Sequence, residues 1–407
     1  MENPKIRFKG FTKDWEQRKL GEIATETYGG GTPKTSNEEF WKGDIPWIQS
    51  SDLIDECLFD VRPRKCISQE AVSKSATKLV PQNSIAIVTR VGVGKLAFMP
   101  FSYATSQDFL SLSGLKIDPE FTVYALYKMM QSVSNEVQGT SIKGVTKDEL
   151  LAKKIIFPSC NEQKKIGAYL HSLDNLITLH QRKCEQTKKL KKYMLQKMFP
   201  QNGAKVPEIR FDGFTYDWEQ RKLGDMGSTY TGLSGKTKED FGHGDAKFIT
   251  YMNVFSNPVA NLDMTESVEI DSKQNCVKAG DVFFTTSSET PEEVGMSSVM
   301  PENADNIYLN SFCFGYRPTE KFDLNYLAYV LRTESFRKEM TFLAQGISRY
   351  NISKNKVMEV EIPIPSLDEQ SRVGQYFKNL DTLITLHQRK CDELKKMKKY
   401  MLQNMFI

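Results

Sequence analysis

The sequence has few of the residues on which metal-binding, disulfide-stabilised or membrane-spanning proteins depend. Of its 407 residues, seven are cysteine and four are histidine, and no two cysteines form a Cys-x-x-Cys pair. An odd, scattered set of cysteines is typical of reduced thiols in a cytosolic protein, and it argues against a disulfide framework or a zinc ribbon. No apolar stretch approaches the roughly 18 residues of a membrane span. The first ten residues contain no apolar run, so we expect no signal peptide.

Catalytic signatures are also sparse. The chain contains no Gly-x-Gly-x-x-Gly fingerprint and no Asn/Asp-Pro-Pro-aromatic tetrapeptide of the kind that amino-methyltransferases use. Two of the four histidines lie in helical repeats, so a histidine-based catalytic triad is not expected. One segment contains Asp240, Asp245 and Lys247, which weakly resemble a metal-nuclease motif and leave a stand-alone nuclease as an alternative. The net charge of +4 fits a slightly basic soluble protein and does not by itself indicate a partner.

What the sequence does have is a tandem duplication. Residues 6–23 return as 209–226 with 14 of 18 positions identical, and residues 172–199 return as 379–406 with 21 of 28 identical. Between these conserved ends, residues 28–135 and 231–342 share almost no identity. Two fused enzyme domains would more often share a catalytic centre and differ at their edges. The repeat therefore favours a common frame that holds two different readers.

Each conserved tail is predicted to be a helix of about 35–40 residues. Asn161 and Asp368 suit N-cap positions, and Glu162 and Glu369 follow in the first turn, where the helix dipole favours acidic side chains. Apolar residues then recur at 4-3 spacing over several heptads, which is typical of a coiled-coil seam. Two such helices in one chain most simply pack on each other, and the domain between them lets them run antiparallel. Their basic ends suit a solvated face, a partner helix or phosphate.

The string "LITLHQRKC" occurs in both tails and places a histidine and a cysteine four residues apart, on one helical face. Four such residues from an antiparallel pair could form a zinc site. Nothing else in the sequence supports a metal, and buried free cysteine behaves as a small hydrophobic residue. We therefore expect these residues to pack in the helix seam, which is predicted to include Ile177, His180, Cys184, Ile384, His387 and Cys391.

Each variable body is predicted to be a compact α+β domain with strands and polar loops. At matching places each has a Gly/Ser/Thr/Lys-rich loop, a Gly-Asp turn and then an apolar strand. Small polar and basic residues recur on these loops, and such side chains read base edges and phosphates. The predicted DNA-binding residues are Thr32, Lys34, Arg90, Lys95 and Lys143 in the first half, and Lys236, Lys238, Thr286, Ser287, Arg349, Tyr350 and Asn351 in the second.

Three sets of motifs carry a family resemblance. They are "DWEQRKLGEI" and "DWEQRKLGDM" at the start of the two halves, "GGTP" followed by "IPWI", and Pro-Ser-x-x-Glu-Gln leading into the "LDNLI" and "LDTLI" helices. In these motifs, and along its whole length, the chain resembles the specificity subunit of type I restriction–modification enzymes. The second body lacks the "GGTP" and "IPW" motifs. Such divergence is what the reading of two different DNA half-sites by the two bodies would require.

The resemblance implies an α+β fold with two globular target-recognition domains in a tandem pseudo-twofold repeat, separated by two long antiparallel coiled-coil helices. The predicted segments are a first target-recognition domain (1–157), a central helical spacer (158–203), a second target-recognition domain (204–364) and a C-terminal helical spacer (365–407). Each domain would read one half of a bipartite, asymmetric site in double-stranded DNA, and the helices would set the gap between the halves.

The resemblance also implies partners. Two modification subunits would dock on the helices and methylate adenine with S-adenosylmethionine, and restriction subunits would supply the motor and nuclease with ATP and Mg²⁺. The chain itself would be non-catalytic, cytoplasmic and without a bound cofactor, metal or membrane. Two alternatives stay open at this point: a stand-alone metal-dependent nuclease, and a coiled-coil adaptor with no role on DNA.

Overall fold

The computed structural model describes residues 4–138, 144–201 and 203–407. The chain divides into two compact units: the first comprises Met1–His180 with Arg389–Ile407, and the second comprises Gln181–Gln388. Each unit therefore includes part of both conserved tails. The four segments predicted from the sequence are a different division of the chain, and their boundaries stay a prediction.

The first unit contains nine strands and three shorter helices among its described residues. The strands are β1 (Glu16–Lys19), β2 (Ala24–Gly29), β3 (Ile45–Ile48), β4 (Lys65–Ile67), β5 (Ser84–Val88), β6 (Leu96–Met99), β7 (Ala104–Thr105), β8 (Phe109–Leu115) and β9 (Lys154–Phe157). The helices are α1 (Gln69–Lys74), α2 (Pro119–Gln138) and α3 (Lys147–Ala152). The first long tail helix follows as α4 (Cys160–Lys197).

The second unit has a similar but longer series of elements. Its strands are β10 (Glu219–Lys222), β11 (Gly227–Thr231), β12 (Phe241–Ile249), β13 (Thr265–Val268), β14 (Val282–Thr285), β15 (Ser287–Ser288), β16 (Ser297–Val299), β17 (Ile307–Leu309), β18 (Cys313–Pro318), β19 (Tyr350–Asn351) and β20 (Glu361–Ile364). Its shorter helices are α5 (Tyr251–Ser256), α6 (Leu324–Val330), α7 (Glu334–Leu343) and α8 (Lys354–Met358). The second long tail helix is α9 (Leu367–Asn404).

The sheets of the two units have the same topology although the bodies share almost no sequence identity. The four-stranded sheets run β2-β8-β5-β6 and β11-β18-β14-β16, and the three-stranded sheets run β4-β3-β7 and β13-β12-β17. Two-stranded ladders join β1 to β9 and β10 to β20, which pair the start of each half with the strand before its long helix. All five side chains of β5 and all four of β14 are buried, so these apolar strands form the cores. The predicted mixed α+β bodies are confirmed.

The two long helices are each 38 residues long, within the predicted range. Their predicted N-caps are wrong, because Asn161 and Asp368 lie inside the first turn. The helices begin directly after Ser159 and Ser366, whose carbonyl oxygens accept the first amide hydrogen bonds of each helix. The preceding proline ends the strand, and the serine after it is the natural start of the helix.

The glutamate of each Pro-Ser-x-x-Glu-Gln motif is buried in an ion pair. Arg7 Nε lies 2.7 Å from Glu162 Oε1, and Arg210 Nε lies 2.7 Å from Glu369 Oε1. Both arginines use a second nitrogen for the other carboxylate oxygen, so each pair is bidentate. The glutamates lie in the first helical turn as predicted, but the fold also places the "IRF" segment over them. The hydrogen bond to the carboxylate raises the pKa of Arg210 above its usual value.

The glutamine of the same motif forms hydrogen bonds to the N-terminus of another helix, α2 in the first unit and α6 in the second. Gln163 accepts a hydrogen bond from the Asp118 amide at 2.8 Å and donates to the Pro158 carbonyl at 2.7 Å. Gln370 makes the same two contacts in the second unit, with Asp323 at 3.1 Å and with the carbonyl of the preceding proline at 2.9 Å. The two aspartates are themselves the N-terminal caps of α2 and α6. The repeated Glu-Gln pair therefore has a structural role, because the glutamate binds an arginine and the glutamine binds the residue that caps a neighbouring helix.

Within each unit, segments of α4 and α9 run antiparallel, and an equivalent lysine–aspartate contact joins them in both units. In the first unit, Lys398 Nζ lies 2.6 Å from Asp174 Oδ1, and Tyr124 donates to the other carboxylate oxygen at 2.6 Å. In the second, Lys191 and Tyr329 contact Asp381 at 2.6 and 2.7 Å. The chain order of the contacts in the second unit gives the antiparallel direction, because residue 184 contacts 388 whereas 191 contacts 381.

The predicted seam is buried in part. Ile177, Cys184 and Cys391 are buried, whereas Ile384 and the two histidines, His180 and His387, are half-buried. The Cys184 Sγ lies 3.9 Å from the Ile384 carbonyl oxygen, as in a packed helix pair. Across the described part of the chain, no three His, Cys, Asp or Glu side chains are grouped as metal ligands, and no helix is long and apolar enough to cross a membrane.

Candidate nucleic-acid interface

A threonine at the end of a core strand organises the loops of each unit. In the first unit, the amide and hydroxyl of Thr89 both donate to the Asp108 carbonyl, at 2.8 and 3.0 Å, and its own carbonyl accepts the amide of residue 145 at 2.8 Å. In the second, the amide and hydroxyl of Thr286 donate to the Phe312 carbonyl at 2.9 and 2.8 Å, and its carbonyl accepts the amide of Ile352 at 3.0 Å. The same backbone arrangement therefore joins the same three loops in both units.

In each unit, a glycine-containing loop also lies against the backbone that follows a strand of the three-stranded sheet. The Gly31 amide donates to the Thr105 carbonyl at 2.9 Å, and the Leu233 amide donates to the Leu309 carbonyl at 2.8 Å. The backbones lie so close that a Cβ on Gly30 would be 1.8 Å from the Ser106 carbonyl oxygen, and one on Gly232 would be 2.2 Å from that of Asn310. The second body thus has the same close approach of two backbone segments although it lacks the "GGTP" motif.

The predicted residues of the first unit are distributed around these loops. Thr32, Lys34 and Arg90 are exposed, and the carbonyl of Lys34 accepts hydrogen bonds from Asn37 and from the indole of Trp41. Arg90 begins a turn that its own carbonyl closes by accepting the amide of residue 93 at 3.1 Å. Lys95 is half-buried and donates to the Leu53 carbonyl at 3.1 Å. Lys143 lies outside the described residues.

Five of the predicted residues in the second unit come together. Ser287 pairs with Asn351, and Ser288 with Tyr350, in the short β15–β19 ladder. Thr286 directly precedes this ladder, and Arg349 lies at its other end with its guanidinium 6.0 Å from the centre of the Phe312 ring. Ser287 itself is buried, so it supports the cluster, whereas Arg349 and Asn351 are exposed.

Lys236 and Lys238 are on a separate loop of the second unit. Lys236 Nζ lies 3.1 Å from Asp271 and 3.7 Å from Asp240, so its charge is already paired. The pKa of Asp271 is lowered to about 2. The largest cause is the hydrogen bond from the backbone amide of Lys273, and a second amide hydrogen bond and the nearby Lys236 act in the same direction. Lys238 is exposed at the start of a short 3-10 turn.

The same loop contains Asp240, one of the three residues on which the nuclease alternative depends. Asp240 accepts hydrogen bonds from the amide and hydroxyl of Thr237 at 2.6 and 2.9 Å, and these lower its pKa. This carboxylate therefore acts as a turn cap. Asp245 and Lys247 lie on strand β12, where the Lys247 amide donates to the Asn306 carbonyl at 2.9 Å.

Sequence reasoning missed Phe312 and Asp108, which occupy equivalent places in the two units. Phe312 is 55% exposed, which is unusual for a large apolar ring. The bodies share too little identity for the sequence to show that these two positions correspond. A phenylalanine between Ser311 and Cys313, in a short stretch between two apolar segments, was the one local signal that the sequence offered.

Comparison with known proteins agrees with this architecture. The family model for the type I restriction modification DNA specificity domain matches the chain twice, over residues 12–189 and 216–396. The MjaVIII specificity subunit of Methanocaldococcus jannaschii is 27% identical over 402 residues, covering 95% of this chain and 91% of that protein. The EcoR124I/EcoR124II specificity subunit of Escherichia coli is 34% identical over 182 residues, covering 42% of this chain and 43% of that protein.

Solved structures show the same fold. A type I restriction-modification S subunit from M. genitalium superimposes with a TM-score of 0.63 at 14% identity, covering 100% of this chain and 99% of that one. A chain from a structural study of type I restriction-modification complex assembly gives a TM-score of 0.56 at 18% identity, covering 97% and 98%. With two matched domains that together span most of its length, the chain belongs to the family of type I restriction-modification specificity subunits.

Proposed function

We propose that the two target-recognition domains of this chain read the two halves of one bipartite, asymmetric site in double-stranded DNA. The observation that carries the proposal is the shared loop arrangement around Thr89 and Thr286, which presents different side chains in the two units. Arg90, which follows Thr89, is exposed in the first unit. The residue after Thr286 is buried, and the second unit exposes Arg349 and Asn351 instead. A fixed backbone with exchanged side chains is what two readers of different base pairs require.

The reading surface we propose consists of the exposed and half-exposed predicted residues on these loops. Arginine, asparagine, threonine and tyrosine side chains there suit base edges in the major groove, where all four base pairs can be distinguished. Lysines on the flanking loops suit phosphate oxygens, which fix the register without reading sequence. Lys236 is a weaker candidate because its charge is paired with two carboxylates.

Exchanging residues 28–135 for the corresponding body of another specificity subunit is expected to change one half-site only. The second unit keeps its own loops in such a chain, so the other half-site should be unchanged. Sequencing the methylomes of cells that express the exchanged chain with its modification subunits measures both halves at once. The reciprocal exchange of residues 231–342 is the matched control, and it should change the other half. A change of both halves after either exchange would contradict the two-reader proposal.

The helices are proposed to set the gap between half-sites and to dock two modification subunits. Three large apolar side chains at identical repeat positions are exposed on the helix segments of both units, and the second unit also exposes Leu367 and Leu386. The first set is Leu176, Met397 and Tyr400, and the second is Leu383, Leu190 and Tyr193, with exposed fractions between 42 and 56%. Because the two sets match, they suit two copies of one partner.

Replacing Leu190 and Tyr193 with aspartate is expected to leave one modification subunit bound where there were two. Charge on this apolar face opposes burial against a partner, and both residues are exposed, so the fold should be retained. Adding Met397→Asp and Tyr400→Asp should remove the second subunit. Native mass spectrometry of the purified complexes counts the subunits. Lys192→Asp, an exposed charge reversal on the same helix, is the control and should still bind two. Two bound subunits in the fourfold variant would exclude this docking face.

Catalysis is proposed to lie with the partners. S-adenosylmethionine for adenine methylation would bind the modification subunits, and ATP and Mg²⁺ the restriction subunits, with no cofactor on this chain. The nuclease alternative is disfavoured because Asp240 serves as a turn cap. The adaptor alternative predicts no DNA footprint even with all partners present, so a footprinting experiment on the assembled complex separates it from the proposal.

A further inference from the structure

Arg349 lies in a small closed loop of the second unit. The amides and carbonyls of Gln345 and Asn351 exchange two hydrogen bonds, at 2.9 and 2.8 Å, so residues 346–350 form a tight excursion between them. Gly346 has a φ of 151°, and a Cβ there would lie 2.0 Å from the carbonyl oxygen of Arg349. The loop depends on that glycine, and its closure fixes the place from which the Arg349 side chain extends.

Phe312 provides a rigid exposed surface beside this arginine. Its carbonyl accepts the two hydrogen bonds from Thr286, and its amide donates to Asn310 Oδ1 at 2.8 Å. The ring is nevertheless 55% exposed. A guanidinium 6.0 Å from the ring centre is within the range of a cation–π contact, which favours a defined orientation of the side chain.

Five other arginines of the second unit are committed to carboxylates or carbonyls of the protein itself. Arg210, Arg221 and Arg317 form ion pairs with carboxylates. Arg332 and Arg337 donate to backbone carbonyls. For Arg349, in contrast, no carboxylate or carbonyl lies within bonding distance of the guanidinium among the described residues, so its five donors face outward beside an aromatic ring.

We propose that Arg349, oriented by Phe312, binds the guanine of one base pair in the half-site that the second unit reads. The inference rests on the proposed function and names one of its contacts. The planar guanidinium presents paired donors whose spacing matches O6 and N7 of guanine in the major groove. A side chain already held against a ring loses less conformational freedom on binding, which favours base reading over a loose contact with phosphate. Phe312 is a positioning residue in this arrangement.

Arg349→Ala and Arg349→Lys test the assignment in the complete complex with its modification subunits. The wild-type methylome first gives the bipartite motif, and exchange of residues 28–135 shows which half belongs to the second unit. In both variants, methylation should extend to sites that lack a guanine at one position of that half. The expected loss of discrimination there is roughly 5- to 150-fold, the range for one bidentate contact. The other half-site should be unchanged.

Three further variants sharpen the result. Phe312→Leu removes the π face and should weaken discrimination at the same position, whereas Phe312→Tyr keeps the ring and should restore it. Arg372→Ala is the matched control, because Arg372 also stacks on a phenylalanine, with its guanidinium 5.1 Å from the Phe214 ring, but on helix α9. The recognition motif of that variant should be that of the wild type.

Two outcomes would overturn the assignment. In one, Arg349→Lys keeps full activity and Arg349→Ala weakens methylation equally at all sites, which is the behaviour of a phosphate contact. In the other, both variants keep the wild-type motif or relax a position that is not guanine. A wild-type complex with no bipartite motif would instead refute the proposed function, so the two failures are distinguishable.

Discussion

Replacing Glu369 with alanine is expected to lower the free energy of unfolding of the second unit by about 3–5 kcal/mol, the usual cost of removing one partner of a buried ion pair. The carboxylate is 2% exposed and receives Arg210 at 2.7 Å through one oxygen and at 2.8 Å through the other. It also accepts the indole Nε1 of Trp218 at 3.1 Å. Its loss therefore leaves a guanidinium and an indole N–H without their acceptor.

Urea denaturation followed by hydrogen exchange measures this effect unit by unit. Asp368→Ala is the matched control, because Asp368 is an exposed acid in the same helical turn and should cost less than about 1 kcal/mol. Glu162→Ala in the first unit should cost less than Glu369→Ala. Among the described residues, the indole nitrogen of Trp15 already has no hydrogen-bond partner, so no such bond is lost there. Equal, small effects of Glu369→Ala and Asp368→Ala would contradict the prediction.

Replacing Arg332 with methionine is expected to destabilise the second unit by about 2–4 kcal/mol, because carbonyl groups that it satisfies lose their donor. Arg332 donates to the carbonyls of Ser297 and Val254 at 2.8 Å, Asn257 at 3.0 Å and Phe255 at 3.1 Å. Three of these lie at the C-terminal end of α5, where a cation also complements the helix dipole. Desolvation lowers the pKa of Arg332 to about 10, which still leaves it charged at neutral pH.

The measurement is the denaturation midpoint together with hydrogen exchange of residues 251–257, which should lose protection first. Arg332→Lys keeps the charge without the planar set of donors, so its effect should be intermediate. Arg182→Met, an exposed arginine of α4, is the control and should change stability by less than about 0.5 kcal/mol. Wild-type protection in Arg332→Met would show that the carbonyls find other donors.

The repeated motifs show where local sequence was sufficient. The 4-3 spacing predicted both long helices, because hydrophobic periodicity acts over a few residues. The N-caps were wrong by two residues. The glutamates were given a helix-dipole role because the sequence does not show that an arginine some 155 positions away would cover Glu162.

The sequence by itself determined the duplication, the two long helices, the α+β character of both bodies and the family, since these depend on identity and on short-range patterns. Only the tertiary structure decided which residues meet. Thr286 holds the Phe312 loop 26 positions away, and Thr89 holds the Asp108 loop in the same way, although no residue pattern links the two bodies. The physical reason is that backbone hydrogen bonds form most of this frame, to which the side chains add only the threonine hydroxyl. Backbone groups are the same in every residue, so the frame persists while the side chains exposed around it, Arg90 in one unit and Arg349 and Asn351 in the other, are free to differ.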